Sequence, residues 1–138
     1  MSANPPLRVL LVEDSTLLAA RLAELIERLP DVDLIATVDT EAAALRRIAL
    51  AQPDVVILDL LLRDGSGFAV LRTVRGATTG VYTPRVIVLT NFDLPEFRRA
   101  AEELQVDAFL DKSRDFDRLP DLLTGIHRER TSPQPQPN

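Results

Sequence analysis

Residues 54–67 read DVVILDLLLRDGSG. Val55, Val56, Ile57 and Leu58 form a short apolar run, β-branched but for its last residue. Such a run has the character of a strand buried on both faces in a parallel sheet. It ends in a carboxylate, Asp59. A charge there is costly unless it lies at the strand's tip, where a crevice and a counter-charge can hold it. Asp64-Gly65-Ser66-Gly67 is dense turn chemistry, and Phe68, Leu71 and Val74 follow at helical spacing. Strand, acid, loop and helix make half of a βαβ unit, and in open α/β sheets ligands bind at that tip.

Outward from this stretch the same alternation repeats. Upstream, LRVLLV (7–12) is a second buried run and ends in Glu13 and Asp14. Ser15 can cap a helix with Leu18, Leu22, Leu25, Ile26 and Leu29 inward, stopped by Pro30. VDLIATV (32–38) reads as a shorter edge strand. Thr40 and Glu41 open a helix with Leu45, Ile48 and Ala49 inward, closed by Gln52-Pro53. Downstream, the helix after Gly67 runs to about Arg75, and GATTGVYT (76–83) is a polar loop. RVIVL (85–89) is a strand ending at Thr90, and Pro95 suits the first turn of a helix presenting Phe97, Ala101 and Leu104. VDAFL (106–110) is a fifth strand, running into Asp111-Lys112-Ser113. A last helix offers Phe116, Leu119, Leu122, Leu123 and Ile126, with Pro120 in its first turn. His127, the only histidine, is expected on the surface and carries no assigned catalysis.

Five strand–helix alternations call for an α/β fold with a parallel sheet, helices on both faces and right-handed crossovers. The flavodoxin-like (βα)5 order 2-1-3-4-5 fits, with its switch point between strands one and three. Residues 1–6 read as a flexible arm, 7–129 as the folded domain and 130–138 as a disordered Pro/Gln tail.

Composition sets the outer limits. The chain has 138 residues, 46% of them apolar and 27% charged. That allows one soluble domain with a real core. No apolar run reaches the length of a membrane span, and MSANPPLR lacks the regions of a signal peptide. A cytoplasmic location is the default expectation, with no membrane partner. Without cysteine there are no disulfides or thiolate metal sites. A net charge of −5 argues against direct nucleic-acid binding. Fifteen arginines stand against a single lysine, Lys112. Either a compact ammonium is needed at that place, or it is a chance surface lysine.

If strands one and three are neighbours, Glu13, Asp14 and Asp59 converge at one sheet edge. Three carboxylates in a crevice need a hard cation, protonation or basic partners. Oxygen ligands with retained waters suit Mg²⁺. Thr90 and Lys112 bring a hydroxyl and a point cation to the same edge. The set suits phosphoryl transfer to a carboxylate. Taken singly, each has an ordinary structural explanation: helix cap, turn residue, strand former, solvated pair. Four such residues ending four strands at one edge are harder to explain that way.

LLVEDS (10–15), VVILDLLLRDGSG (55–67), VIVLTN (86–91) and AFLDKS (108–113) resemble, in order, the signature blocks of the response-regulator receiver domain of two-component signalling. The resemblance implies that Asp59 is the phosphoacceptor, charged by a phosphohistidine of a histidine kinase or phosphotransfer protein. It implies a Mg²⁺ (or Mn²⁺) site made by Asp14 and Asp59, by Glu13 through water, and by the backbone carbonyl of Leu61. Lys112 and Thr90 would contact the phosphoryl oxygens, and Phe109 would turn inward as Thr90 moves. Phosphorylation adds roughly −1.5 to −2 charge, biasing a two-state surface on the fourth helix, fifth strand and fifth helix. That surface would meet a downstream protein or a second copy. No output domain is recognisable after it, and the chain is expected to be a signalling switch, not an enzyme with an external substrate. The tail could be a natural end or the start of a linker, and Met1 mildly favours the former.

Four departures from the family pattern stand out. Ser113 replaces a proline that the family typically joins by a cis peptide, Arg63 replaces a common proline, and Asn91 replaces a small residue. Leu61 and Phe92, two residues beyond Asp59 and Thr90, are apolar where the family controls water access to the acyl phosphate, so slow dephosphorylation is expected. The alternative function is a degenerate receiver that binds proteins independently of phosphorylation. A flavodoxin-like cofactor binder would want a phosphate cradle after strand one, where EDSTLL places acids. An aspartate-dependent phosphatase would want an acid at Leu61.

Overall fold

The computed structural model describes residues 5–76 and 82–131. Among them the sheet has five parallel strands: β1 (Leu7–Val12), β2 (Val32–Val38), β3 (Val55–Leu58), β4 (Arg85–Thr90) and β5 (Ala108–Asp111). Their order is β2-β1-β3-β4-β5, as the alternation predicts. Helices α1 (Thr16–Glu27), α2 (Glu41–Ala51), α3 (Gly67–Gly76), α4 (Pro95–Glu103) and α5 (Leu119–Thr131) supply the crossovers. In register, Val12 pairs with Leu58, Leu58 with Val88, and Thr90 with Asp111. Every strand therefore ends at the same edge.

Burial follows from the alternation of side chains along each strand. Leu10, Val12, Val56, Leu58, Val86 and Val88 face one layer with α2, α3 and α4. Leu7, Val9, Leu11, Val55, Ile57, Ile87 and Leu89 face the other, against α1 and α5. Both faces of the central strands are covered, which is why these runs are continuously apolar. The helix caps read from the sequence are present: Ser15 and Thr40 accept from the amides of Leu18 and Ala43.

Several boundaries differ from the sequence reading. The fifth strand begins at Ala108, not Val106. Gln105 is left-handed (φ 59°) and the Val106 amide still bonds to the α4 carbonyl of Ala101, so the chain is leaving the helix where a strand was expected. Phe116 lies in a short 3-10 turn (Phe116–Arg118) before α5. On α2 the buried partner of Ile48 is Ala44, whereas Ala49 is exposed. His127 is half-buried, and its Nε2 is enclosed without a hydrogen-bond partner, against the expected surface position. Most of the 76–83 loop and of both terminal segments lies outside the described residues.

Candidate functional site

Asp59 follows β3 directly, and its amide donates to the Val12 carbonyl at 3.1 Å. The ladder thus extends one residue past the strand and delivers the carboxylate beside β1. Glu13 is placed the same way, its amide bonding the Val38 carbonyl at 2.9 Å. Oxygens of Glu13, Asp14 and Asp59 all lie within 4.8 Å of one another. Asp59 is only 6% exposed, so its charge needs compensation.

Lys112 provides it. Its Nζ bonds Asp59 Oδ2 at 2.8 Å and Glu13 Oε1 at 2.7 Å, with all three side chains nearly enclosed. Burial alone lowers the lysine pKa, but the bonds and charges of Asp59 and Glu13 outweigh it and hold the ammonium above its ordinary value. Burial pushes the Glu13 carboxyl up. The bonds from Lys112 and the Ser15 amide oppose that only in part, and the Asp59 charge adds to the rise. A chain with one lysine has placed it between two acids of this crevice.

The loop carrying Lys112 is built on Asp111. Its Oδ1 accepts from the Ser113 amide at 2.8 Å, the Ser113 hydroxyl at 2.5 Å and the Arg114 amide at 3.2 Å. Those bonds, the Ser113 hydroxyl first, hold the Asp111 carboxyl below its usual range. The Lys112 amide bonds the Thr90 carbonyl at 2.9 Å. There is no cis peptide among the described residues. Ser113 therefore brings two donors that a proline at this position would lack.

Thr90 is fully buried, and its Oγ1 accepts the Phe92 amide at 3.3 Å. That contact leaves the hydroxyl proton free to donate. The Leu61 amide donates to Asp59 Oδ1 at 3.3 Å, setting that peptide beside the carboxylate. Leu61 and Phe92 are 42% and 45% exposed. Phe109 is buried, with the Arg98 guanidinium 4.6 Å above its ring. Asp93 receives both Arg98, at 2.9 Å, and Arg114, tying the β4–α4 and β5–α5 loops together.

The donor set fits a hard divalent cation. Three carboxylates offer oxygens only, which is the ligand chemistry of Mg²⁺ and Mn²⁺. A cavity of about 240 Å³ lined by Glu13, Asp14, Thr16 and Asp39 opens beside them. Two contacts escaped the sequence reading because they join distant segments. Arg63 bonds Asp14, and Glu41 Oε1 accepts the Ser66 amide at 2.9 Å. No helix among the described residues is long and apolar enough to cross a membrane.

Comparison with known proteins agrees with this geometry. The family model described as the response regulator receiver domain matches residues 9–124. The transcriptional regulatory protein CitB of Klebsiella pneumoniae is 32% identical over 123 residues, covering 89% of this chain and 51% of CitB. The chain thus spans about half the length of that relative. A DNA-binding response regulator of the LuxR family from Staphylococcus aureus superposes with a TM-score of 0.78 at 27% identity, over 87% of this chain and 98% of that one. The Mn²⁺-bound form of response regulator Rcp1 superposes with a TM-score of 0.70 at 26% identity, over 96% and 100%. Fold, strand-end acids and similarity agree, and the chain belongs to the receiver-domain family of two-component response regulators.

Proposed function

We propose that this domain is a phosphorylation-activated switch whose acceptor is Asp59, charged by the phosphohistidine of a histidine kinase or phosphotransfer protein in the cytoplasm. The observation that carries the reading is the lysine bridge: Nζ within 2.8 Å of Asp59 and 2.7 Å of Glu13 in an enclosed crevice. In the transfer an Asp59 carboxylate oxygen attacks phosphorus in line. The bond from phosphorus to the donor's imidazole nitrogen breaks, and its electron pair stays on that nitrogen. Asp14 and Asp59 directly, Glu13 through water and the Leu61 carbonyl would hold Mg²⁺ or Mn²⁺, which supplies charge neutralisation at the phosphoryl oxygens.

The chain's own residues do the rest. Once phosphorylated, the Asp59 carboxyl carries no charge of its own, so Lys112 keeps Glu13 and turns to a phosphoryl oxygen. Thr90 donates its free hydroxyl proton to another. Movement of Thr90 carries the Phe92 amide with it and changes the packing of Phe109, altering the face formed by α4, β5 and α5. That face would engage a downstream protein or a second copy. Such a switch modifies only itself and turns over no external substrate.

Incubation with a small phosphodonor and Mg²⁺, read by intact mass, tests the assignment. The wild type is expected to gain one phosphoryl group and Asp59→Asn none. Absence of any Mg²⁺-dependent adduct on the wild type would favour the phosphorylation-independent binding module.

A further inference from the structure

Of the positions that depart from the family pattern, Arg63 is the one that lays a side chain on an acid of the site. Its amide donates to Asp14 Oδ2 at 2.5 Å, and its guanidinium donates to the Asp14 carbonyl at 2.8 Å. The Nε of the same guanidinium lies 3.7 Å from Oδ2. A proline at this position has neither an N–H nor a charge, so none of these contacts could form. The planar fork also suits the arrangement, because it reaches a carbonyl and a carboxylate at once.

We propose that Arg63 is a tethered competitor for Asp14: it holds the carboxylate while no divalent cation is bound and has to release Oδ2 before Asp14 can ligate one. The inference rests on the reading of Glu13, Asp14 and Asp59 as a metal site. Three carboxylates share two cations of very different character. Lys112 is enclosed and serves Glu13 and Asp59. Arg63 serves Asp14 with a side chain that is 79% exposed. A solvated guanidinium swings into water at little cost, whereas a buried ammonium between two acids does not. Arg63 is therefore the cation that yields. Its second effect is mechanical, because it fastens the β3–α3 loop to the end of β1 until the acid is claimed.

Mn²⁺ titration followed by electron paramagnetic resonance reads the free ion directly and needs no phosphorylation. Wild type, Arg63→Ala, Arg63→Pro and Asp14→Asn would be compared, each first checked for a cooperative melt. Arg63→Ala is expected to bind Mn²⁺ about two- to fivefold more tightly, the range an exposed ion pair commands. Arg63→Pro should tighten binding at least as much, since the amide is lost as well. Because the Arg63 side chain is exposed, the alanine variant keeps the fold and decides the matter even if the proline variant does not fold. Equal or weaker binding by Arg63→Ala overturns the competitor role. No binding by wild type, or unaltered binding by Asp14→Asn, refutes the metal-site reading itself and this inference with it.

Discussion

Replacing Lys112 by methionine leaves Glu13 and Asp59 facing each other without the cation that joins them. Stability should fall, though by less than the ~3–5 kcal/mol of breaking a fully buried pair, since the crevice is open on the Asp14 side. Added Mg²⁺ should restore more of the melting temperature in the variant than in the wild type. The pH dependence has a definite sign. The folded-state pKa of Lys112 is raised, so its contribution is whole below the ordinary lysine value and is lost as pH rises through the raised one. Thermal melts across the alkaline range should therefore fall more steeply in the wild type than in Lys112→Met. Leu61 and Phe92 belong to the same scale. Both are half-exposed and apolar, two residues beyond Asp59 and Thr90, so if Asp59 is the acceptor the phosphorylated form should decay slowly. Substituting polar residues at both positions should shorten its lifetime, by on the order of a hundredfold where a positioned general base is thereby supplied. A short wild-type lifetime, unchanged in that variant, would sink the idea. The strand-end residues were legible because each closes an apolar run or follows one within two residues. The grip of Arg63 on Asp14 was not, because it spans 49 positions and depends on how two loops meet.

The β3–α3 loop shows what an element adds to its residues. A Cβ on Gly67 would lie 2.0 Å from the Asp59 carbonyl oxygen and 2.7 Å from the Leu60 Cα. The helix start is therefore pressed against the backbone of Asp59 itself, and no side chain fits between. Gly67→Ala should cost roughly 1–3 kcal/mol as overpacking and displace Asp59. Denaturant melts would read the first effect, and the rate of modification by a small phosphodonor the second. Gly65, at φ +97°, makes the turn that lets the Ser66 amide reach Glu41, so the N-terminus of α2 buttresses the same loop. The sequence marked this stretch as turn chemistry but did not reveal what the glycines avoid. Contact with Glu41 is fixed by the sheet order, not by neighbours in the chain. The late start of β5 has a similar origin. VDAFL has strand character throughout, yet the left-handed Gln105 and the helix-end bond of Val106 claim its first residues.

Across the whole molecule, parallel strands sort the charges by edge. The C-terminal edge holds the site. The opposite edge holds structural pairs: Asp54 with the Arg8 amide and Arg130, and Arg85 with Asp107 and Glu129. Tyr82 lies at that second edge, its hydroxyl donating to the Pro53 carbonyl at 2.7 Å. Burial, reinforced by the Asp54 charge and opposed by Arg8, pushes its phenol up to about 12. As the only tyrosine, in a chain without tryptophan, it can be titrated by absorbance without interference. The midpoint should lie near 12, and the stability it contributes should persist below the ordinary phenol value and vanish as pH rises through that midpoint. The architecture was the most legible level of all, since five alternations and two-sided burial leave few topologies. The gathering of acids at the C-terminal edge followed from parallel strands, whereas the ion pairs of the opposite edge were hidden because they join segments far apart in the chain. One consequence concerns the carboxylate that Arg98 and Arg114 share. Asp93, itself in the β4–α4 loop, accepts both Arg98 of α4, which caps Phe109, and Arg114 of the β5–α5 loop. The ion pair from Arg114 is thus the thread by which a shift of one loop is felt by the other, a weak one because that side chain is largely exposed.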